Sequence, residues 1–251
     1  MAIAHRGSRL LWPENTLPAF QGARDLGLRL LETDLHVTRD GVLVAFHDHL
    51  LDRTTNGEGP IADRWWPELE LIDAGHNFAP HAGYPWRNKG IKIPRLDELM
   101  ETFGDAGFVL DLKQPGTEER LAELLKQRGW EDRVVVGSFS DLRMRRFRKA
   151  SKGGVWTSSG PVEAFAHWSA SRLGRRLPGP AKAIQIPEEF AFRRLVDRKL
   201  TESAHAAGRQ VHVWTINDPE VMDHLLDAGV DGIITDRPDL LRALLERRQQ
   251  W

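Results

Sequence analysis

The 251-residue chain contains no cysteine, so neither a disulfide framework nor a thiolate metal site is available to it. Its formal net charge is only −1, which leaves no bulk field to gather nucleic acid or an anionic membrane. No apolar run approaches the ~20 residues that span a bilayer, so stable membrane insertion is not expected. The opening Met1-Ala2-Ile3-Ala4-His5-Arg6 becomes charged too early for a signal peptide, and a cytoplasmic protein is the expectation. The glycine-rich phosphate loops Gly-x-x-x-x-Gly-Lys-Ser/Thr and Gly-x-Gly-x-x-Gly are missing, as is the serine elbow Gly-x-Ser-x-Gly. Nucleotide-loop and serine-hydrolase chemistry therefore have no foothold.

What is present is a regular alternation. Short apolar runs fall at Ala2–His5, Leu30–His36, Phe108–Leu112, Val134–Ser138, Val155–Thr157, Ala183–Ile186, Val211–Thr215 and Gly232–Thr235. Such runs suit strands buried on both faces. Helical spacing lies between them. Asn15 or Thr16 opens a helix to about Leu26, and further helices span Leu121–Gln127, Leu195–Ala207, Pro219–Ala228 and Pro238 to about Arg248. Asn217 or Asp218 is placed to cap the fourth of these, with Pro219 at its first position.

Eight strands alternating with helices predict an α/β protein, a parallel (β/α)8 TIM barrel forming one domain over residues 1–251. A doubly wound open sheet is the alternative. One stretch breaks the rhythm: residues 48–94 are rich in Gly, Pro, Asn, His and Trp and have no clean period. A bare loop of that length is unusual, so a small inserted subdomain after the second strand is expected, over the C-terminal face of the barrel.

The candidate chemistry gathers at strand ends. Glu32 and Asp34 are two apart on a strand, so both carboxylates share one face. They repel unless a cation lies between them. Asp111 ends the next barrel strand in Leu110-Asp111-Leu112-Lys113. Three oxygen ligands suit a hard divalent ion, Mg2+ or Ca2+. Plain strand-end salt bridges explain the same acids equally well at this point. His5 and His47 each end an apolar run and form an acid–base pair of the kind phosphoryl chemistry needs. Arg6 and Lys113 follow strand ends directly and can bind phosphate oxygens. Trp214 ends a strand and points toward a barrel mouth, whereas Trp65, Trp66 and Trp86 fall in the insertion, where they could roof a pocket or an acyl site. His36 continues the Glu32–Asp34 alternation but lies beyond the candidate ligands.

These segments resemble the glycerophosphodiester phosphodiesterase family, related to the phosphatidylinositol-specific phospholipases C. The matching stretches are His5-Arg6-Gly7, Pro13-Glu14-Asn15-Thr16, Ala19-Phe20, Glu32-Thr33-Asp34, Thr38-Arg39-Asp40-Gly41, His47-Asp48, Leu51–Gly57, Val213–Asn217 and Asp231–Pro238. The resemblance covers essentially the whole chain and itself implies a barrel with an insertion after the second strand. It implies a phosphoric diester hydrolase that cleaves a small-molecule glycerophosphodiester to glycerol 3-phosphate and an alcohol. It implies Glu32, Asp34 and Asp111 as ligands of one divalent cation, Arg6 and Lys113 as phosphate contacts, and His5 and His47 as acid and base. The family usually carries Glu where this chain has Asp111, whose shorter arm ligates through water or shifts the ion. The rival readings are a lysophospholipase D-like activity, favoured by an apolar groove beside the site, and a catalytically inactive barrel that binds only.

Overall fold

The barrel follows from strands whose two faces are both apolar. In the computed structural model, which describes residues 1–251, the elements run in the following order. The first part is β1 (Ala2–Ala4), α1 (Leu17–Asp25), β2 (Leu30–Val37), β3 (Leu43–Ala45), α2 (Trp66–Leu69), α3 (Leu96–Thr102), β4 (Gly107–Leu112) and α4 (Thr117–Arg128). Then come β5 (Val134–Gly137), α5 (Asp141–Ala150), β6 (Trp156–Thr157), α6 (Pro161–Arg172), β7 (Ala183–Pro187), β8 (Glu189–Phe190) and β9 (Arg193–Arg194). The chain ends with α7 (Arg198–Ala206), β10 (Gln210–Trp214), α8 (Pro219–Asp227), β11 (Gly232–Thr235) and α9 (Pro238–Arg247).

Eight strands pair in parallel in the order β6-β5-β4-β2-β1-β11-β10-β7. The ring closes between β6 and β7 through the parallel bridge Ser158↔Ala183, with Ser159 N donating to Ala183 O at 2.9 Å and Lys182 N to Thr157 O at 2.8 Å. The open-sheet alternative is thereby excluded. All eight barrel strands lie where the apolar runs place them, within a residue or two at each end.

Period-two alternation divides each strand. Leu31 and Leu35 of β2 and Phe108, Leu110 and Leu112 of β4 join the large core between barrel and helices. Ile3, Val109 and Ile234 pack with Leu30 and Trp214 in a separate small cluster of the alternate, inward register. Glu32, Asp34 and Asp111 occupy that same register, so the strand pleat aims them at the lumen. Register pairs Asp34 directly with Asp111 across β2 and β4.

Helix starts are set by side-chain caps. The Thr16 hydroxyl accepts from Ala19 N at 3.4 Å, and Asp218 accepts from Glu220 N at 2.8 Å ahead of Pro219. The helix expected from Leu195 begins instead at Arg198, because Asp197 caps it by accepting from Leu200 N at 3.0 Å. The residues before the cap form the antiparallel β8–β9 hairpin, which the sequence did not suggest. Helices α3, α5 and α6 were not individually expected; in α6, Phe165 remains exposed, which blurs the helical stripe.

The stretch after β2 begins with β3, which turns back antiparallel so that Leu35 faces Ala45. Chain entry and exit of the insertion meet where Ala45 N donates to Pro94 O at 3.0 Å and Val44 bridges Arg95. Between them Val44, Phe46, Leu51, Ile61, Leu69, Ala74, Ile91 and Ile93 form a small core of their own. Trp66 and Trp86 pack against that core, and half-exposed Trp65 lies under the Arg39 guanidinium at 5.4 Å. None of the three lines the cleft at the barrel mouth, so the pocket-roof and acyl-site expectation for these tryptophans is corrected: Trp66 and Trp86 pack on the insertion's own core, and Trp65 stays half-exposed beside Arg39.

Candidate active site

The barrel mouth opens into one cleft of about 1300 Å3. His5, Arg6, Glu32, Asp34, His47, Asp111, Lys113 and Trp214, from five different strand ends or the loops after them, all line it. Every site residue read from the sequence is therefore brought to one place.

Two histidine–carboxylate pairs face this cleft. His5 Nδ1 lies 2.6 Å from Asp236 Oδ1, and His47 Nδ1 lies 2.6 Å from Asp48 Oδ1. Asp236 is fully buried and also accepts from Arg9 Nε and Asn217 Nδ2, each at 3.0 Å. Burial opposes its ionisation, but His5, Asn217 and Arg9 more than offset that and hold its pKa below the usual carboxylate range. Burial pulls the His47 pKa down, with Arg6 and Lys113 adding to the effect against the pull of Asp34 and Asp48. His36 ties this corner together: its Nδ1 meets Gln114 Oε1 at 2.6 Å and its Nε2 meets the His47 carbonyl at 3.0 Å.

Between the pairs lies a buried ionic cluster. Lys113 Nζ sits 2.8 Å from Asp34 Oδ1 and 2.6 Å from Asp111 Oδ2. Arg6 Nε is 3.1 Å from Asp34 Oδ2 without hydrogen-bond alignment, while its Nη1 donates to Glu14 Oε1 at 3.0 Å. Arg6 sits at φ +51°, a left-handed turn that aims its backbone N–H at Glu32 Oε2, 2.9 Å away. Asn15 Nδ2 completes the set by donating to Asp34 Oδ2 at 3.1 Å.

The three carboxylates differ in what opposes their charge. Burial disfavours ionised Asp34, yet Lys113, Arg6 and His47 outweigh it and hold its pKa low. Glu32 has no side-chain cation in hydrogen-bond contact, and burial followed by the nearby Asp34 charge drives its pKa up. Asp111 is also raised, mainly by burial, and its Oδ1 is buried with no hydrogen-bond partner. The salt-bridge account thus describes Asp34 but not Glu32. No three His, Asp or Glu groups already surround a common point.

The model of the glycerophosphoryl diester phosphodiesterase family matches residues 5–240. The chain belongs to the glycerophosphoryl diester phosphodiesterase family. A probable glycerophosphodiester phosphodiesterase 2 of Mycobacterium tuberculosis is 34% identical over 100% of this chain and 92% of its own. A glycerophosphodiester phosphodiesterase of Caldanaerobacter subterraneus subsp. tengcongensis is 35% identical over 98% of each. Among solved structures, a phosphodiesterase of Oleispira antarctica in complex with the product sn-glycerol-3-phosphate superposes with a TM-score of 0.79. That pair is 28% identical, over 98% of this chain and 96% of the other.

Within this glycerophosphoryl diester phosphodiesterase barrel, several site residues escaped sequence reasoning. Asp48 and Asp236 stood inside recognised motifs without a role, as did Glu14, which accepts from both Arg6 and Arg53. Arg9 and Arg53 line the cleft from loops, where no strand-end rule marks a charge as internal. The opposite wall, built by Phe139, Phe165, Trp168, Phe190 and Leu195, carried no signal at all.

Proposed function

We propose that the protein hydrolyses glycerophosphodiesters to glycerol 3-phosphate and an alcohol, with His5 and His47 as the acid–base pair. One observation carries the reading: two imidazoles, each hydrogen-bonded through Nδ1 to a carboxylate, line one cleft with Arg6 and Lys113. With Nδ1 committed to Asp236 or Asp48, Nε2 of each ring is the atom left to exchange protons with substrate. The family relationship and the product named for the Oleispira structure support the same substrate.

His5 takes the proton of the attacking hydroxyl, which is either water or the glycerol's own. In the second case a cyclic phosphate forms and water then opens it. His47 gives its proton to the departing alcohol. The two rings exchange roles in the second step. Arg6 and Lys113 hold positive charge beside the phosphoryl oxygens as negative charge grows there.

The proposal includes one divalent cation, Mg2+ or Ca2+. The donor chemistry fits: Asp34 acts electrostatically on both Glu32 and Asp111, Asp111 Oδ1 is buried without a partner, and burial beside Asp34 opposes ionisation of Glu32. Those three side chains would hold the ion, with Lys113 shifting from between Asp34 and Asp111. When bound, the ion supplies Lewis-acid polarisation of a phosphoryl oxygen.

The test is release of glycerol 3-phosphate from glycerophosphocholine and glycerophosphoethanolamine in EDTA, Mg2+ and Ca2+, with His47→Ala alongside. Metal-dependent release that His47→Ala abolishes is the expected result. No release under any condition sinks the proposal.

A further inference from the structure

The formal net charge of −1 conceals a strong asymmetry. Residues 143–199 carry fourteen Lys and Arg against four Asp and Glu, which leaves the rest of the chain comparably acidic. These residues fall on α5, α6, the β8–β9 hairpin and the start of α7. The three helices lie side by side outside the ring, because β5, β6 and β7 are neighbours in it. Arg148 Nη2 reaches Glu163 Oε2 at 2.8 Å across the α5–α6 seam, and Arg172 Nη2 reaches Asp197 Oδ1 at 2.8 Å at the start of α7. Two of the four acids are thereby used. Arg145, Lys149, Arg175, Arg176, Arg198 and Lys199 are exposed and enter no ion pair. Arg145 precedes Arg148 by three residues and so lies on the α6 side of α5.

Helix α6 runs through the middle of this basic sector with an apolar outward face. A surface helix ordinarily turns its apolar stripe to the core and its charges to water. Here Ala164, His167 and Ser171 are the buried side. Val162, Phe165 and Leu173, at helical spacing on the opposite side, are 70%, 66% and 70% exposed. The charged side chains of the helix, Glu163 and Arg172, are both taken by its neighbours. Phe192 adds a fully exposed apolar tip. It sits at φ +61° in the two-residue turn of the β8–β9 hairpin, a conformation ordinarily left to Asn or Gly. Arg172 Nη2 ties α6 to the segment after that hairpin by donating to Leu195 O at 3.4 Å. Val162, Leu173 and Phe192 do not line the cleft, so this face is distinct from the catalytic mouth.

We propose that the α5–α6–α7 flank docks the protein on an anionic lipid surface. The outward face of α6 and Phe192 enter the headgroup layer, and the unpaired cations on either side contact acidic headgroups. Two properties choose this occupant together. The apolar face needs a partner that offers hydrocarbon contact, and the cations beside it need one that carries negative charge. A bilayer of acidic phospholipid supplies both. Nucleic acid answers the charge but not aliphatic Val162 and Leu173. A second copy bound symmetrically through the same face sets cations against cations. No helix is long and apolar enough to cross a membrane, so the contact is one of surface docking. It is independent of the reaction at the barrel mouth.

The experiment is co-sedimentation of the whole chain with vesicles, at low and high salt. One set is phosphatidylcholine alone, and the other carries about one-third phosphatidylserine. Binding to the acidic vesicles only, weakened by salt, is expected. Each basic residue near such a surface is worth about fivefold in partitioning. Arg145→Gln combined with Arg176→Gln should therefore weaken binding ~25-fold. Val162→Ser combined with Leu173→Ser should weaken it at least ~10-fold and leave its salt dependence unchanged. The lipid and salt dependence of the wild type decides the matter even if a variant folds poorly. Equal binding to both vesicle types, or none to either, overturns the proposal. Binding untouched by the two apolar substitutions also overturns it, and equal capture of a DNA duplex by wild type and that variant would make the flank a polyanion face. Self-association in sedimentation velocity that Leu173→Ser abolishes overturns it by making a second copy the occupant.

Discussion

His5 and Asp236 stand 231 positions apart in sequence, yet His5 Nδ1 and Asp236 Oδ1 are 2.6 Å apart at the barrel mouth. The pairing of β1 with β11, in which Ala4 faces Thr235, delivers both residues to one strand-end level. The carboxylate fixes the ring's orientation and tautomer. Asp236→Asn should therefore lower kcat about 10^2- to 10^4-fold with little change in KM. Steady-state kinetics across pH check this, and an unchanged kcat would remove Asp236 from the proton-transfer unit.

Lys113 neutralises two buried carboxylates at once. Lys113→Met leaves Asp34 and Asp111 facing each other without their cation. Removing one partner of a buried ionic group costs about 3–5 kcal/mol, a loss that urea denaturation would register. If a divalent cation takes the vacated place, added Mg2+ or Ca2+ should recover part of the stability but not the activity.

If the native protein holds the proposed ion on Glu32, Asp34 and Asp111, that ion would stabilise the fold by mass action, by about 2.7 kcal/mol at a hundredfold excess over Kd. Thermal melts with EDTA, Mg2+ and Ca2+ should show a concentration-dependent rise in Tm. Glu32→Gln should abolish that rise. Asp111→Glu, which restores the longer arm usual in the family, should move it to lower metal concentration.

His212 is buried, and burial drives its pKa down to about 4, with the N-terminal amino group adding to the fall and Asp231 opposing it. Gln185 and Gln210 are its side-chain hydrogen-bond partners. The unfolded chain takes up a proton near pH 6.5 that the folded ring refuses. The stabilisation is complete above that pH, falls as the pH drops toward 4, and levels off below. At pH 5 the loss from this group is about 2 kcal/mol. Denaturation midpoints at pH 7.5 and 5 should differ accordingly, and His212→Gln should narrow the gap.

Gly7 follows the His5-Arg6 turn at φ +71°, and a Cβ there would lie 2.8 Å from Ala19 Cβ and 2.9 Å from the Ala19–Phe20 backbone. Gly7→Ala combines strain with a clash against rigid helix α1, so destabilisation above about 1 kcal/mol is expected. Activity should fall with it, because the same turn carries the Arg6 N–H to Glu32. A melting curve identical to wild type would contradict this.

The sequence by itself determined the barrel strands and the residues that meet at their ends. Strand period is two and helix period is 3.6, so local patterning fixes which side chains face inward without knowledge of their partners. That is why Glu32, Asp34, Asp111, His5 and Lys113 were legible from spacing. Which partners those groups take was decided only by the closed ring. Asp236 reaches His5 because β11 pairs with β1, and Lys113 reaches Asp34 because β4 pairs with β2. The apolar wall of the cleft was likewise decided by tertiary structure. Phe139, Phe165 and Phe190 come from a strand–helix loop, a helix and a hairpin with no common period, and only barrel closure sets them side by side. The insertion tryptophans show the converse: their composition suggested a pocket roof, but Trp66 and Trp86 pack instead against the insertion's own small core.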